Sequence, residues 1–457
     1  MANELTLEEL SRSTGEPVER LGQWRSQGLI GAEDDERFRP EDVEKVRLVR
    51  LFLRRGISVE AIARAAKGGL LDRYVERLLP DSAGPTYSLA EAAEILDLDL
   101  SLLRRLWEAS GLNEQGETAN EEDMEAMRRL KFALEAGFPE EALLQLMRVY
   151  ADALGRVAEA GIKFRHFYSY ERARAAGASP DELAEADRRS GEWLLPLVEP
   201  TVLYFLRKGT AKATREDMVM HRAEEAGLTA ISDVPGQLQV AITFVDLSSF
   251  TPLAEAMGDV KAAEVLERFS SLVREATARW DGRVVKQIGD AFLLVFPEPR
   301  TAIACALEIE ERTSREPQFP AARSGVHWGS VLYREGDYVG SNVNIAARVA
   351  AEAGRHQVLV TSAVRKEAKG LAEVEFVRLG KRRLKGLAES LELFEARPVG
   401  AEEREKAVDP VCGMELGPGE VAATLTMEGP STGSGERAFC SDECLRRFVA
   451  APEKYSV

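Results

Sequence analysis

Two acids stand where a chain can hold a cation. Asp246 closes the apolar run QVAITFVDL (239–247) just before a helical pattern begins, and Asp290 sits in VVKQIGDAFLLVF (284–296) between two runs of β-forming residues. Val284–Ile288 and Ala291–Phe296 read as strands, and Gly289 permits the tight turn between them. An acid at such a tip can simply cap a solvated turn. If the run ending at Asp246 lies beside the hairpin, the two carboxylates can instead share hard divalent cations with substrate phosphates. Lys286, four positions before Asp290, adds a cation at a fixed offset. Ser249, Phe250 and Thr251 open the helix after Asp246, where free N–H groups can meet a triphosphate.

The elements that must position these residues follow from periodicity. TPLAEAMGDVKAAEVLERFSSLVREATARW (251–280) is amphipathic helix with a Gly-Asp interruption, and the hairpin comes next. RTAIACALEIEERT (300–313) is a second helix, SGVHWGSVLYR (324–334) a strand and SNVNIAARVAAEA (341–353) a third helix. The order β-α-β-β-α-β predicts a ferredoxin-like α+β sandwich. His327 and Cys305 read as structural and core residues, and the chain lacks the G-x-x-x-x-G-K-[ST] loop of P-loop enzymes.

FVDLSSFT, KQIGDAF, GVHWG and DYVGSNVNIAAR, in this order, resemble the catalytic domain of class III nucleotidyl cyclases over about 160 residues. The resemblance implies that Asp246, Asp290 and the backbone of Leu247 hold two Mg²⁺ or Mn²⁺ ions. It implies that Lys286 and Asp337 select the base and that Asn344 and Arg348 act on the ribose and the transition state. Lys385, in RRLKG, aligns more loosely with a phosphate-binding lysine. Ser249 departs from the glycine that many members carry beside the phosphates. The family's sites lie between two chains, so a homodimer is implied.

The chemistry agrees with these residue types. Lysine only donates and an ionised aspartate only accepts, so Lys286 with Asp337 complements the acceptor N1 and donor 6-amino group of adenine. ATP is therefore expected over GTP, which excludes a guanylyl cyclase. Arg348 is a fixed cation suited to charge growing on phosphate oxygens, and Asn344, four residues earlier, shares its helix face.

Two stretches near the N-terminus echo each other. LEELSRSTGEPVERLGQWRSQGLI (7–30) matches LAEAAEILDLDLSLLRRLWEASGL (89–112), with Trp24 against Trp107 and Gly28 against Gly111. Each precedes an acidic helix start and a hydrophobic helix, so a duplicated all-α, winged-helix-like region is expected. The first repeat resembles a MerR-like helix-turn-helix. Residues 1–66 nevertheless carry 11 Lys/Arg against 13 Asp/Glu, and 88–150 carry 6 against 14. Phosphate contacts need a basic face, so DNA is not the expected partner. Residues 1–230 are also similar to helical regions that restrain some bacterial soluble cyclases.

The expected division is 1–82 and 83–150 for the two repeats, 151–231 for a helical linker region, 235–397 for the catalytic domain and 405–457 for a Cys-bearing tail. The linkers are GLTAISDVPGQ (227–237) and PVGAEEREKAVD (398–409). The tail, with DPVCGM and AFCSDECLRRFVAAPEKY, is similar to a YHS domain. Cys440 and Cys444 are four apart, on one face if the segment is helical, and Cys412 can join them. Three thiolates suit Zn²⁺ or a soft metal, with no fourth ligand in the pattern; reduced structural cysteines are the alternative. The insert TMEGPSTGSGER (426–437) separates the two halves.

The 457 residues are 45% hydrophobic and 30% charged, with a net charge of −17, as suits several soluble globular domains. No signal peptide is visible, and the most apolar run, LLPLVEPTVLYFL (194–206), is too short to span a bilayer and is interrupted by Pro196, Glu199 and Pro200. A cytoplasmic location with no membrane partner is expected. The leading reading is a regulated adenylyl cyclase; the alternative is a nucleotide-sensing transcription regulator with a cyclase-like sensor.

Overall fold

The computed structural model describes residues 5–31, 37–69, 71–72, 87–111, 118–226, 234–368, 370–387, 389–401, 406–417, 419–427 and 435–455. Most of the linker GLTAISDVPGQ, the centre of 398–409 and the middle of the insert 426–437 lie outside them. The chain divides into two compact units, Met1–Met220 and His221–Val457.

The first unit is helical. Helices α1 (Leu7–Thr14), α2 (Val18–Ser26), α3 (Pro40–Arg54) and α4 (Val59–Ala66) are followed by β1 (Tyr87–Ser88), α5 (Leu89–Leu96), α6 (Leu100–Ala109), β2 (Thr118–Ala119) and α7 (Glu121–Glu135). Thr6 and Ser88 begin α1 and α5 with the same capping box, closed by Glu9 and Glu91. Trp24 and Trp107 are buried in separate cores, each within the second of a pair of short helices, and Gly28 and Gly111 take φ of 70° and 71°.

Beyond α8 (Glu140–Arg165), a π-helical turn (His166–Glu171) and α9 (Arg172–Ala175), α10 runs unbroken over Pro180–Glu225. Pro196 and Pro200, which interrupt the apolar run, lie inside this helix. Proline's fixed φ is compatible with a helix, and the loss is confined to its own missing N–H bond and crowding of the preceding turn. Among the described residues no helix is long and apolar enough to cross a membrane.

The second unit is built on one sheet. Its elements are β3 (Gln237–Leu247), α11 (Phe250–Met257), α12 (Asp259–Arg279), β4 (Arg283–Ile288), β5 (Ala291–Phe296), α13 (Pro299–Arg315), β6 (Ala322–Arg334), β7 (Asp337–Val339) and α14 (Ser341–Glu352). Then come β8 (Val358–Thr361), α15 (Ser362–Glu367), β9 (Val374–Arg382) and β10 (Leu391–Pro398). The order is β4-β5-β3-β6-β8-β10-β9, with β7 beside β6. The first four strands pair antiparallel, as the ferredoxin-like expectation requires; β8 joins β6 in parallel and extends the sheet.

β3 is buried on both faces, which explains its unalternating apolar sequence. Ala241 and Val245 pack with Phe269, Val273 and Ile303 of α12 and α13, whereas Val240 and Ile242 share a cluster with Ala346 of α14. Gly325 lets α14 lie close on β6, because a Cβ there would fall 2.1 Å from the Ala350 nitrogen.

The tail adds β11 (Ala407–Val408), β12 (Glu415–Leu416), β13 (Ala423–Met427), β14 (Gly435–Phe439) and α16 (Asp442–Ala450). It does not stand apart as its linker suggested. Val411, Met414, Leu416, Phe439 and Phe448 belong to the same buried cluster as Ala241 and Phe292. A segment of this size cannot close a core alone and completes it against the sheet domain.

Candidate active site

The site is assembled where β3 ends. Pairing of β3 with β6 sets Asp246 directly opposite Arg323, whose Nε and Nη2 donate to Asp246 Oδ2 at 3.0 and 2.5 Å. β5 lies on the other side of β3, so the β4–β5 turn reaches the same end. Gly289 takes φ 63° in that two-residue turn, as a tight hairpin favours. Partial burial and the neighbouring Asp246 carboxylate push the Asp290 carboxyl up to about 6.

Such an arrangement can accept a cation. Two carboxylates crowd together at a half-buried position, and one guanidinium offsets part of their charge. Their hard oxygens, with the Leu247 carbonyl next in the chain, fit Mg²⁺ or Mn²⁺ in donor type.

Lys286, on β4, forms an ion pair through Nζ with Asp337 Oδ2 at the start of β7. Asp337 is held in turn by the Tyr338 N–H, which donates to Oδ1 at 2.8 Å. The donor-only and acceptor-only groups therefore meet, although 51 positions separate them. Asn344 and Arg348 are both exposed on α14. The preceding Asn342 anchors that helix: its Nδ2 donates to the Ser330 carbonyl at 2.7 Å, and its Oδ1 lies 3.0 Å from His327 Nε2. His327 Nδ1 is 2.9 Å from Thr361 Oγ1, and burial lowers its pKa. It is a structural residue, as its sequence context indicates.

Ser249 adopts φ 67°, ψ 29°, a left-handed conformation natural to glycine, immediately before α11. Its side chain is engaged by Arg355, whose Nη2 donates to Ser249 Oγ at 2.9 Å. Phe250 and Thr251 form the first turn of α11, and Lys385 is exposed in the turn after β9. Among the described residues the site residues thus form three groups: Asp246 with Asp290, Lys286 with Asp337, and Asn344 with Arg348.

The tail cysteines do converge. Cys412 Sγ lies 3.5 Å from Cys440 Sγ, which lies 3.6 Å from Cys444 Sγ. The shared helix face expected for Cys440 and Cys444 is not how they meet: Cys440 follows β14 and precedes α16, and only Cys444 is helical. Asp409 supplies the fourth donor absent from the cysteine pattern, and one ligand atom from each of the four residues lies within 4.8 Å of the others. Hydrogen bonds from the neighbouring thiols lower the Cys444 thiol and raise that of Cys412.

Sequence reasoning passed over Arg323, Arg355, His356 and Asp409. Asp409 had a local signal, an acid starting the turn in DPVCGM. The other three are recognisable only through partners distant in sequence.

The ferredoxin-like sheet brings Asp246, at the end of its first strand, together with Asp290, in the following hairpin turn. Residues 234–395 match the family described as adenylate and guanylate cyclase catalytic domain, and residues 35–208 match the adenylate cyclase regulatory domain. A protein named as a pH-sensitive adenylate cyclase of Mycobacterium tuberculosis is 30% identical over 363 residues, covering 78% of this chain and 88% of its own. An adenylate cyclase of Streptomyces coelicolor is 28% identical over 62% of this chain and 71% of its own. A solved structure of adenylate cyclases from Trypanosoma brucei aligns with a TM-score of 0.34 and 22% identity, covering 38% of this chain and 96% of that one. The chain belongs to the adenylate cyclase family and is an enzyme of it, with a regulatory domain ahead of the catalytic one.

Proposed function

We propose that the chain converts ATP to 3′,5′-cyclic AMP and pyrophosphate at two equivalent sites, each formed between two copies of the chain. The observation that carries the choice of ATP is the Lys286–Asp337 pair. Adenine would replace this ion pair by a hydrogen bond from Lys286 to N1 and one from the 6-amino group to Asp337. Guanine presents the opposite pattern at both positions and would leave both groups opposed.

Asp246, Asp290 and the Leu247 carbonyl are the residues that would hold two divalent ions. Bound there, such ions neutralise phosphate charge and lower the pKa of the ribose 3′-hydroxyl. The first N–H groups of α11, at Phe250 and Thr251, have no partner one turn back within the helix and can donate to phosphate oxygens. Lys385 adds a charge for the leaving pyrophosphate.

Asn344 would orient the ribose, and Arg348 would donate to the α-phosphate oxygens as their charge grows. Both are exposed on one helix, as groups offered to a second chain must be. A homodimer therefore completes the site. The duplicated helical region, whose first repeat resembles a MerR-like fold turned to protein contacts, would regulate the geometry of that dimer.

Cyclic nucleotide formation from ATP and from GTP with Mn²⁺, by the full chain, tests this reading. ATP should be the better substrate. Faster cyclisation of GTP would overturn the base assignment, and no product from either, with dimers present, would overturn the catalytic one.

A further inference from the structure

The cysteine cluster and the phosphate end of the active site are joined by one side chain. Arg355, between α14 and β8, donates from Nη1 to the Gly413 carbonyl and from Nη2 to Ser249 Oγ, both at 2.9 Å. Gly413 directly follows Cys412, and Ser249 lies three positions after Asp246. The contact is tight: a Cβ on Gly413 would fall 2.4 Å from Ser249 Cβ.

A second attachment runs through the other cysteine segment. Arg447, on the helix that carries Cys444, donates from Nη1 to the Glu255 carbonyl of α11 at 2.9 Å. Both ends of α11 are therefore held by segments that supply the thiols.

The cluster has the dimensions of a metal site. Sulfur atoms bound to one tetrahedral ion at about 2.3 Å lie about 3.8 Å apart, close to the 3.5 and 3.6 Å found here. Asp409 orders the loop by accepting from the N–H groups of Val411, Cys412 and Cys440 at 2.8, 3.3 and 2.8 Å. A carboxylate has about four lone-pair positions, so one remains for an ion. Asp409 also lines a cleft of about 580 Å³ with Ser249, Glu255, Arg355, Gly413 and Arg447, so the cluster and the start of α11 border one space.

We propose that Asp409, Cys412, Cys440 and Cys444 bind a thiophilic divalent ion, and that its occupancy sets cyclase activity through Arg355. The inference rests on the cyclase reading above. An ion on Cys412 fixes the 409–414 loop, the loop fixes the Arg355 guanidinium, and Arg355 holds Ser249 in its left-handed conformation at the start of α11. The loaded chain is the active one. Arg355 is a positioning residue, acting on bound phosphate only through Ser249.

The test uses the full chain, reduced and stripped by a chelator, then titrated with Zn²⁺ or Co²⁺. Metal content and the thiolate-to-cobalt absorption band report the site without reference to activity. About one ion per chain is expected, with loss of the cobalt band in Cys444→Ser and Asp409→Asn.

Cyclase activity with saturating Mn²⁺ should rise by roughly fivefold or more on loading with Zn²⁺. Arg355→Met should keep the bound ion and the cobalt band but lose the rise, with a higher KM for ATP in the loaded state. Absence of a stoichiometric ion with reduced cysteines overturns the site. A bound ion with unchanged or lowered activity overturns the coupling, as does an undiminished rise in Arg355→Met. Loss of all cyclisation at normal metal content would count against the cyclase reading instead.

Discussion

Arg323 stands directly across the sheet from Asp246 and donates two hydrogen bonds to a single oxygen of its carboxylate. The guanidinium balances charge where two carboxylates come together. Arg323→Met should destabilise the metal-free chain by about 1.5–3 kcal/mol, the usual contribution of hydrogen bonds to a charged group. The gain in melting temperature on adding Mn²⁺ should increase, because more uncompensated charge awaits the ion. Thermal melts of both proteins with and without Mn²⁺ check this, and an unchanged gain would remove Arg323 from the metal site.

Asp290 gives the site a pH signature. Its folded pKa of about 6 lies above the ordinary aspartate value, so the folded chain holds a proton there that the unfolded chain has lost between about pH 4 and 6. The stability contribution of that proton declines as pH rises through this window. A divalent ion must displace the proton, so apparent Mn²⁺ affinity should fall about tenfold per pH unit below 6 and level off above it. Mn²⁺ titrations from pH 5 to 8 should show this slope, and Asp290→Asn should abolish it along with tight binding.

His356 forms a charged bridge between the sheet domain and the tail. Burial opposes its charge, but Glu310 at 3.1 Å and Glu415 at 2.6 Å raise its pKa to about 9. Lys406, 3.6 Å from Glu415, and the nearby Arg355 share this environment. The bridge contributes fully below about pH 6.5 and is lost as pH rises through about 9, up to about 3 kcal/mol in all. His356→Gln should therefore melt below the parent at pH 6 and with it at pH 10. Parallel curves across that range would contradict the assignment.

The shared site predicts complementation. Asp290→Asn removes the proposed metal ligand, and Arg348→Ala the proposed transition-state donor, and each should cost about 10²–10³-fold or more in kcat. A mixed dimer retains one intact site out of two, and random mixing makes half the dimers mixed. Combining the inactive proteins should recover about a quarter of the parent activity. No recovery, with subunit exchange demonstrated, would mean that each chain forms its site alone.

The acids were legible because their signals are local: a strand end for Asp246 and a two-residue hairpin turn for Asp290. The sheet core was legible through its helix and strand periods. Arg323 was not, because nothing near it in sequence reveals that register sets it opposite a residue 77 positions away. The tail's linker composition carries no sign that Val411, Phe439 and Phe448 share one buried cluster with residues of the sheet.

The near-contact of Gly413 with Ser249 constrains how this chain can vary. A side chain at 413 would need room that Ser249 occupies, and both residues hold left-handed backbone. Among descendants of this sequence, a side chain at 413 would be selected against while 249 carries a Cβ, whereas a glycine at 249 would remove that clash and leave only the strain of left-handed backbone at 413. The two positions, 164 apart, should drift as a pair, and libraries randomised at both together should recover combinations that neither single-site library contains.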